Sequence, residues 1–381
     1  MKVYIPMRNL LLGAQKSKFA QGAFNINFPR QADAVIRIHE KLRSAAVIQV
    51  AEPATAFLGG NPDFLNGTLA EKARGMELIA RRVKALAEQS RVPVVLHLDH
   101  GKSFESVKLA IDAGFSSVMI DGSSLSFEEN AELTRKVVEY AHERGVSVEA
   151  ELGILAGTED DVFSEASTYT NPLKVVEFIR MTGCDSLALS YGTKHGPVKG
   201  ENVKLRKEIV IAALENMRHE KLKAALVSHG SSLVPEYILS EINALGGAVS
   251  GGGIPLSQLL EVIPMGISKI NIDTDIRLAT TRNLLEMYER RPDLREKSPV
   301  YGLMKSDPKQ IDYRKYLAPY MDKLLRDEID TPELEEIAKA LDDAIYEICA
   351  TAIVNFGSVG MARGFEIASL AEMKEFYRGE K

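Results

Sequence analysis

Short apolar runs punctuate the first three quarters of the chain, and each gives way to a longer stretch in which apolar residues recur at helical spacing. Apolar runs of this length read as strands buried on both faces, as in a parallel sheet, and the amphipathic stretches between them read as covering helices. Eight strands are expected, at Ala20–Asn25, Ala46–Val50, Val94–Leu98, Ser117–Ile120, Ser147–Ala150, Ser186–Leu189, Ala225–Ser228 and Lys269–Ile272. Helices are expected at Phe104–Ala113, Phe127–Arg144 and Pro172–Thr182, the last with Asn171 as N-cap and Pro172 in its first position. The strands return roughly every 35 residues, the length of one strand-loop-helix unit. Eight such units predict an α/β fold, a closed (β/α)8 TIM barrel; an open doubly wound sheet would need a switch point and usually has fewer strands.

The pattern changes after Arg277. Charged helical sequence follows at Leu278–Arg290, Tyr316–Arg326 and Pro332–Asn355, while Arg291–Lys315, with Pro292, Pro299 and Pro308, reads as an exposed excursion. The chain of 381 residues is therefore expected to be a single domain, 1–381, with a barrel over about 1–290 and a helical extension over about 291–381 packed on the barrel or on a partner subunit.

Composition narrows the function. Hydrophobic residues make up 45% and charged residues 26%, the balance of a globular chain, and the net charge of −6 makes a poor partner for nucleic acid or an anionic membrane. No apolar run is long enough to span a bilayer, and no basic segment followed by a long apolar one opens the chain. A cytoplasmic location is expected. The only cysteines, Cys184 and Cys349, exclude a disulfide framework and a cysteine-based zinc site. Any metal must sit on histidine and carboxylate.

Of seven histidines, His39, His142 and His219 lie in charged helical segments and are expected at the surface. His97, His100, His195 and His229 fall at or after the ends of the third, sixth and seventh strands, which converge on the rim where this fold places active sites. Three imidazoles and an open position make a catalytic zinc site. Asp99, beside them, suits an acid/base role or the orientation of a ligand. Asp121 and Glu151 close the fourth and fifth strands, where they could hold a second metal or receive the first one when it moves. Gly230-Ser231-Ser232 and Asp273-Thr274 follow the last two strands, the usual phosphate pocket of the fold, and Lys199 could add a positive charge. These residues describe a zinc barrel enzyme acting on a phosphorylated small molecule, without choosing between hydrolysis and carbon–carbon chemistry.

At these positions the chain resembles the class II, metal-dependent fructose-bisphosphate aldolases, from about Phe24 to about Gly360. The matching segments are Phe24-Asn25-Ile26-Asn27, His97-Leu98-Asp99-His100-Gly101, Val118-Met119-Ile120-Asp121, Glu149-Ala150-Glu151-Leu152-Gly153, His195-Gly196, His229-Gly230-Ser231-Ser232 and Asn271-Ile272-Asp273-Thr274-Asp275. The resemblance implies reversible cleavage of fructose 1,6-bisphosphate to dihydroxyacetone phosphate and glyceraldehyde 3-phosphate through a zinc-stabilised enediolate. It implies His100, His195 and His229 as zinc ligands, with Asp121 and Glu151 at a second or alternate metal position. Zinc or another divalent metal is the expected cofactor, with a monovalent cation near His195 and Gly230. Asp99 matches the acid/base at the C4 hydroxyl and Glu159 the loop carboxylate that moves the C3 proton. Gly196, Gly230, Ser231, Ser232, Asn271, Asp273 and Thr274 match the contacts to dihydroxyacetone phosphate, and Asn25 and Arg314 join the substrate-binding set. The expected partners are a sugar phosphate and further copies of the chain, as a homodimer or homotetramer.

The chain departs from the family in three places. Ala51 stands where many relatives carry a serine that contacts the aldehyde-side phosphate. The family's Asp-Pro-Arg, whose arginine reaches a neighbouring subunit's site, reads Asp312-Tyr313-Arg314 after an insertion over about 292–310. Thr158 precedes Glu159 where some relatives have an acid. The first two concern the aldehyde end, so an aldolase for another ketose bisphosphate, such as tagatose 1,6-bisphosphate, is the alternative; a barrel metallohydrolase and a non-catalytic binding protein are more distant ones.

Overall fold

The computed structural model describes residues 3–155, 168–197 and 203–379, together with the backbone of 157–159 and 162–164. Ten strands are present among them: β1 (Gln21–Asn25), β2 (Ala46–Ala51), β3 (Val94–Gly101), β4 (Ser117–Ile120), β5 (Ser147–Leu152), β6 (Gly157–Glu159), β7 (Val162–Ser164), β8 (Ser186–Leu189), β9 (Ala225–Ser228) and β10 (Ile267–Ile272). Eight of them close a parallel barrel in the order β1-β10-β9-β8-β5-β4-β3-β2, and β6 and β7 form a separate antiparallel hairpin. The barrel is the TIM barrel that the apolar runs predict.

Two-residue alternation along each strand sorts side chains between the barrel interior and the helical layer outside. At the base the inward positions are apolar: Ala23, Val47, Val95, Ala188 and Val227 form one cluster with Leu10 and Leu11 of the helix Arg8–Ser17, which plugs that end. One step up, the inward residues turn polar, with Asn25, Gln49, His97, Glu149 and Lys269 all buried. The interior is thus a dry plug below and a polar chamber above, and only the chamber opens on the rim.

The tail folds onto the barrel. The helix Thr274–Arg290 packs against Pro332–Asn355, which in turn packs on Pro29–Leu42 and closes the seam between the last and first units. Residues 291–315 are largely exposed, as expected, but they are not irregular. They fold into short helices at Pro292–Arg295 and Pro299–Ser306, the second burying Val300 and Met304. Both begin on proline, which costs nothing where no intrahelical N–H bond is needed. The helix expected at Tyr316–Arg326 is instead broken into Tyr313–Tyr316, a 3-10 turn around Pro319 and Met321–Arg326, because proline cannot donate within a helix. His39 is fully buried, and His142 stacks on Tyr377 at 3.5 Å and meets Asp185 at 3.0 Å. Of the three histidines expected outside, only His219 is exposed.

Candidate active site

Adjacent residues on a regular strand point to opposite faces, so Asp99 and His100 could not both face the chamber without a break. The break is present. The β3–β4 register shifts between Leu98 and Gly101, and His100 adopts a left-handed φ of 50°. Such a bulge re-aims a side chain at the end of a strand. Asp99 is then held by three amides: Asn25 Nδ2 and Asn271 Nδ2, each at 3.0 Å, and Gln49 Nε2 at 3.3 Å.

The two imidazoles are oriented from behind. His100 Nδ1 donates to Asp121 Oδ2 at 2.9 Å, and His229 Nε2 donates to Glu149 Oε1 at 2.7 Å. These carboxylates leave the lone pairs on His100 Nε2 and His229 Nδ1, and those atoms face each other at 3.0 Å. Asn271 Nδ2, 3.1 Å from His229 Nδ1, can donate to it, so the lone pair still in need of a partner is that of His100 Nε2, met by a proton shared with His229 or by a metal ion. Burial opposes charge on His100, yet Asp99 and Asp121 outweigh it and push the imidazole up to about 10; burial and the His100 charge push His229 down. Ligand atoms of Asp99, His100 and His229 all lie within 4.8 Å of one another. His195, delivered by the loop after β8, sets its buried ring against His100 with centroids 5.2 Å apart. The converging set is two imidazoles and a carboxylate, with the His195 ring adjacent but its nitrogens outside the group, and with each fixed imidazole backed by a carboxylate it fits zinc.

Asp121 and Glu151 differ. Asp121 Oδ2 also accepts from Lys102 Nζ at 2.9 Å, and its Oδ1 accepts the Ser123 amide at 3.1 Å and hydroxyl at 2.6 Å. Despite burial, His100 and Lys102 hold its carboxyl well below the usual range. Burial, reinforced by the Asp121 charge, holds Glu151 well above it, and Glu151 Oε2 has no hydrogen-bond partner among the described residues. These two and His100 form a second group whose ligand atoms lie within 4.8 Å of one another.

Beneath the imidazoles lies a pair that sequence reasoning missed. Lys269 Nζ sits 3.1 and 3.0 Å from the two Glu149 oxygens, and both residues are fully buried. Burial would raise the Glu149 carboxyl, but Lys269, then His229 and His97, hold it far down. Burial and then Lys269 push His97 to about 3, and its Nδ1 meets Ser117 Oγ at 2.9 Å. His97 is thus a neutral interior group below the rim. The missed residues had a signal in common: Gln49, Glu149 and Lys269 are long polar side chains inside strands buried on both faces, two residues below Ala51, Glu151 and Asn271.

Gly230, Ser231 and Ser232 leave β9 beside His229. Gly230 has φ 58°, and a Cβ there would come within 2.6 Å of the Lys194 backbone. The loop is tied down by buried Asp275, whose carboxylate accepts the Leu233 and Val234 amides at 2.9 and 2.8 Å. Gly196, Asp273 and Thr274 line a cavity of about 290 Å³ with Phe64, Arg277 and Lys315. Arg314 does not extend from the surface toward a neighbour. It is buried in its own chain, paired with Asp312 at 2.7 Å, bonded to Asn27 Oδ1 at 3.3 Å and stacked on Phe64 at 4.0 Å. Lys199 lies outside the described residues, as does the side chain of Glu159, whose backbone belongs to β6.

Fold and rim together define a barrel enzyme site with a metal-capable centre and an adjoining loop suited to an anion. Comparison with known proteins gives the family. The profile described as "Fructose-bisphosphate aldolase class-II" matches residues 5–361, and the chain belongs to that family. A fructose-bisphosphate aldolase of Geobacillus stearothermophilus is 38% identical over 300 residues, covering 78% of this chain and 90% of the relative. One of Giardia intestinalis is 34% identical over 376 residues, covering 98% of each. Among solved structures, the YdjI aldolase of Escherichia coli K12 superposes with a TM-score of 0.63 at 24% identity over 95% of this chain and 100% of that one. A fructose-bisphosphate aldolase of Campylobacter jejuni superposes at 0.67 and 22% identity, over 94% and 97%. At those identities the structures show the shared fold.

Proposed function

We propose that the protein is a zinc-dependent lyase that reversibly cleaves fructose 1,6-bisphosphate to dihydroxyacetone phosphate and glyceraldehyde 3-phosphate. The observation that carries this reading is the convergence of His100 Nε2 and His229 Nδ1, 3.0 Å apart, beside a carboxylate held by three amides. Zinc on His100, His195 and His229 would supply Lewis acidity toward the charge that develops at C3 when the C3–C4 bond breaks. Asp99 takes the proton of the C4 hydroxyl in cleavage and returns it in condensation. Its three amide donors fix which oxygen faces the substrate. Gly196, the Gly230–Ser232 loop and Asn271 to Thr274 receive the ketone phosphate, and Lys199 is assigned a charge that favours it. Asn25 positions Asp99 while Glu159, on the hairpin, serves the C3 proton. No lysine is needed as a Schiff-base nucleophile, and the buried Lys269 is occupied by Glu149.

A second reading has its own observation. Ala51 offers no hydroxyl at the aldehyde end, and Glu52 beside it turns to Lys72 at 2.6 Å and the Lys102 amide at 2.7 Å. That altered end admits an aldolase for an epimeric bisphosphate such as tagatose 1,6-bisphosphate. Specificity constants on the two bisphosphates separate the readings: a higher value for the fructose compound is expected, and the reverse order would replace it with the tagatose assignment. Exchange of the C3 proton of dihydroxyacetone phosphate with solvent separates both from a metallohydrolase. The chain is also proposed to act as one domain, in the cytoplasm, where its two buried free cysteines stay reduced. Assembly as a homodimer or homotetramer would cover Leu65 and Leu69, about half exposed near the rim.

A further inference from the structure

The Asp121 carboxylate has about four lone-pair positions. Four donors fill them: His100 Nδ1 and Lys102 Nζ on Oδ2, and the amide and hydroxyl of Ser123 on Oδ1. A metal could reach Asp121 only by displacing one of these, and Lys102 is the donor whose place a cation would take. The lysine is there by construction. Its backbone amide is bound by Glu52 Oε2 at 2.7 Å, and Glu52, itself buried, is fixed by Lys72 at 2.6 Å and by the Ser106 hydroxyl at 2.6 Å. With its stem so anchored, the Lys102 side chain, only 33% exposed, turns inward to Asp121, although a lysine at a rim ordinarily keeps its head in water. Beside it, Glu151 Oε2 has no hydrogen-bond partner among the described residues, and His100, Asp121 and Glu151 bring their ligand atoms within 4.8 Å of one another. The geometry is that of a second metal position with an ammonium already on it.

We propose that Lys102 is a resident cation that replaces a second metal ion at Asp121 and Glu151, so that each chain binds one divalent ion, at His100, His195 and His229. The inference rests on the reading of the rim as a metal centre. An ammonium and a divalent ion on one carboxylate repel each other in a buried site, where little solvent screens them. Lys102 therefore decides the metal count, and Glu52 is the positioning residue that aims it.

The test is a count of zinc, independent of turnover. The full-length protein is stripped with a chelator, dialysed, titrated with zinc sulfate alone and assayed for bound metal per chain. One zinc is expected in the wild type, two in Lys102→Met, one in Lys102→Arg, which keeps the cation, and one in the double variant Lys102→Met, Glu151→Gln. Should Lys102→Met fail to fold by circular dichroism, Lys102→Gln takes its place with the same expectation. Two zinc ions in the wild type, or one in the folded Lys102→Met or Lys102→Gln protein, would overturn the role of Lys102. No zinc in the wild type would overturn the metal-centre reading itself, and this inference with it.

Discussion

Asp99 and His229 are held by different partners, and that separates two effects of mutation. Asp99→Ala removes the proposed proton acceptor but leaves the imidazoles and their carboxylates in place, so turnover is expected to fall about 10²–10⁴-fold with zinc retained. Loss confined to KM would assign Asp99 to binding. Glu149→Gln acts on the metal instead. Without the carboxylate behind His229 Nε2 the tautomer is no longer fixed, and zinc affinity is expected to drop about 10–100-fold, measured by competition with a chromophoric chelator. Proton linkage gives a further check at His100. Its imidazole is pushed up to about 10 in the metal-free protein, so near neutral pH it carries a proton that zinc must displace. The sign follows: the raised value makes zinc binding tighten as pH rises, about tenfold per unit between pH 7 and 9, with about one proton released. Calorimetry in two buffers of different ionisation enthalpy reads that proton directly, and a count of zero would contradict the geometry.

The strands and the loops that follow them were legible in the sequence to different degrees. Four-residue apolar runs located β4, β8 and β9 to the residue, since nothing but a buried strand fits Ser117–Ile120 between two helical stretches. β3 was read as ending at Leu98 but runs to Gly101, because the bulge that turns both Asp99 and His100 inward leaves no mark in hydrophobic periodicity. The rim histidines could be read from their place after strands; the supporting layer could not, because a lysine and a glutamate inside a barrel make sense only once they are seen to pair. Asp275 shows the same limit. It lies on the helix Thr274–Arg290, yet it bonds the Leu233 and Val234 amides more than 40 residues away. Asp275→Ala should leave two amides without their acceptor, costing about 1–3 kcal/mol by denaturant unfolding. It should also raise KM for the bisphosphate more than it changes kcat, because the loop it holds carries Ser231 and Ser232.

Across the molecule the two ends of the barrel carry different duties, as the fold generally divides them. At the base, Asp185 gathers Arg8 at 3.2 Å, His142 at 3.0 Å and the hydroxyl of Tyr377 at 2.9 Å, tying the N-terminal segment and the C-terminal helix Leu370–Gly379 to the start of β8. Tyr377→Ala removes a buried ring stacked on His142 and should lower stability by about 3–5 kcal/mol. The kcat/KM of the folded fraction should stay unchanged, since the chemistry sits at the other end. At the rim, the proposed function turns on a metal held by His100, His195 and His229 beside Asp99. The most direct test is the rate of fructose 1,6-bisphosphate cleavage, followed as dihydroxyacetone phosphate formed, in the purified protein, after chelation, and after zinc is restored. Cleavage should vanish on chelation and return with one equivalent of zinc; full cleavage by the metal-free protein, or none by the zinc-loaded one, would contradict the account.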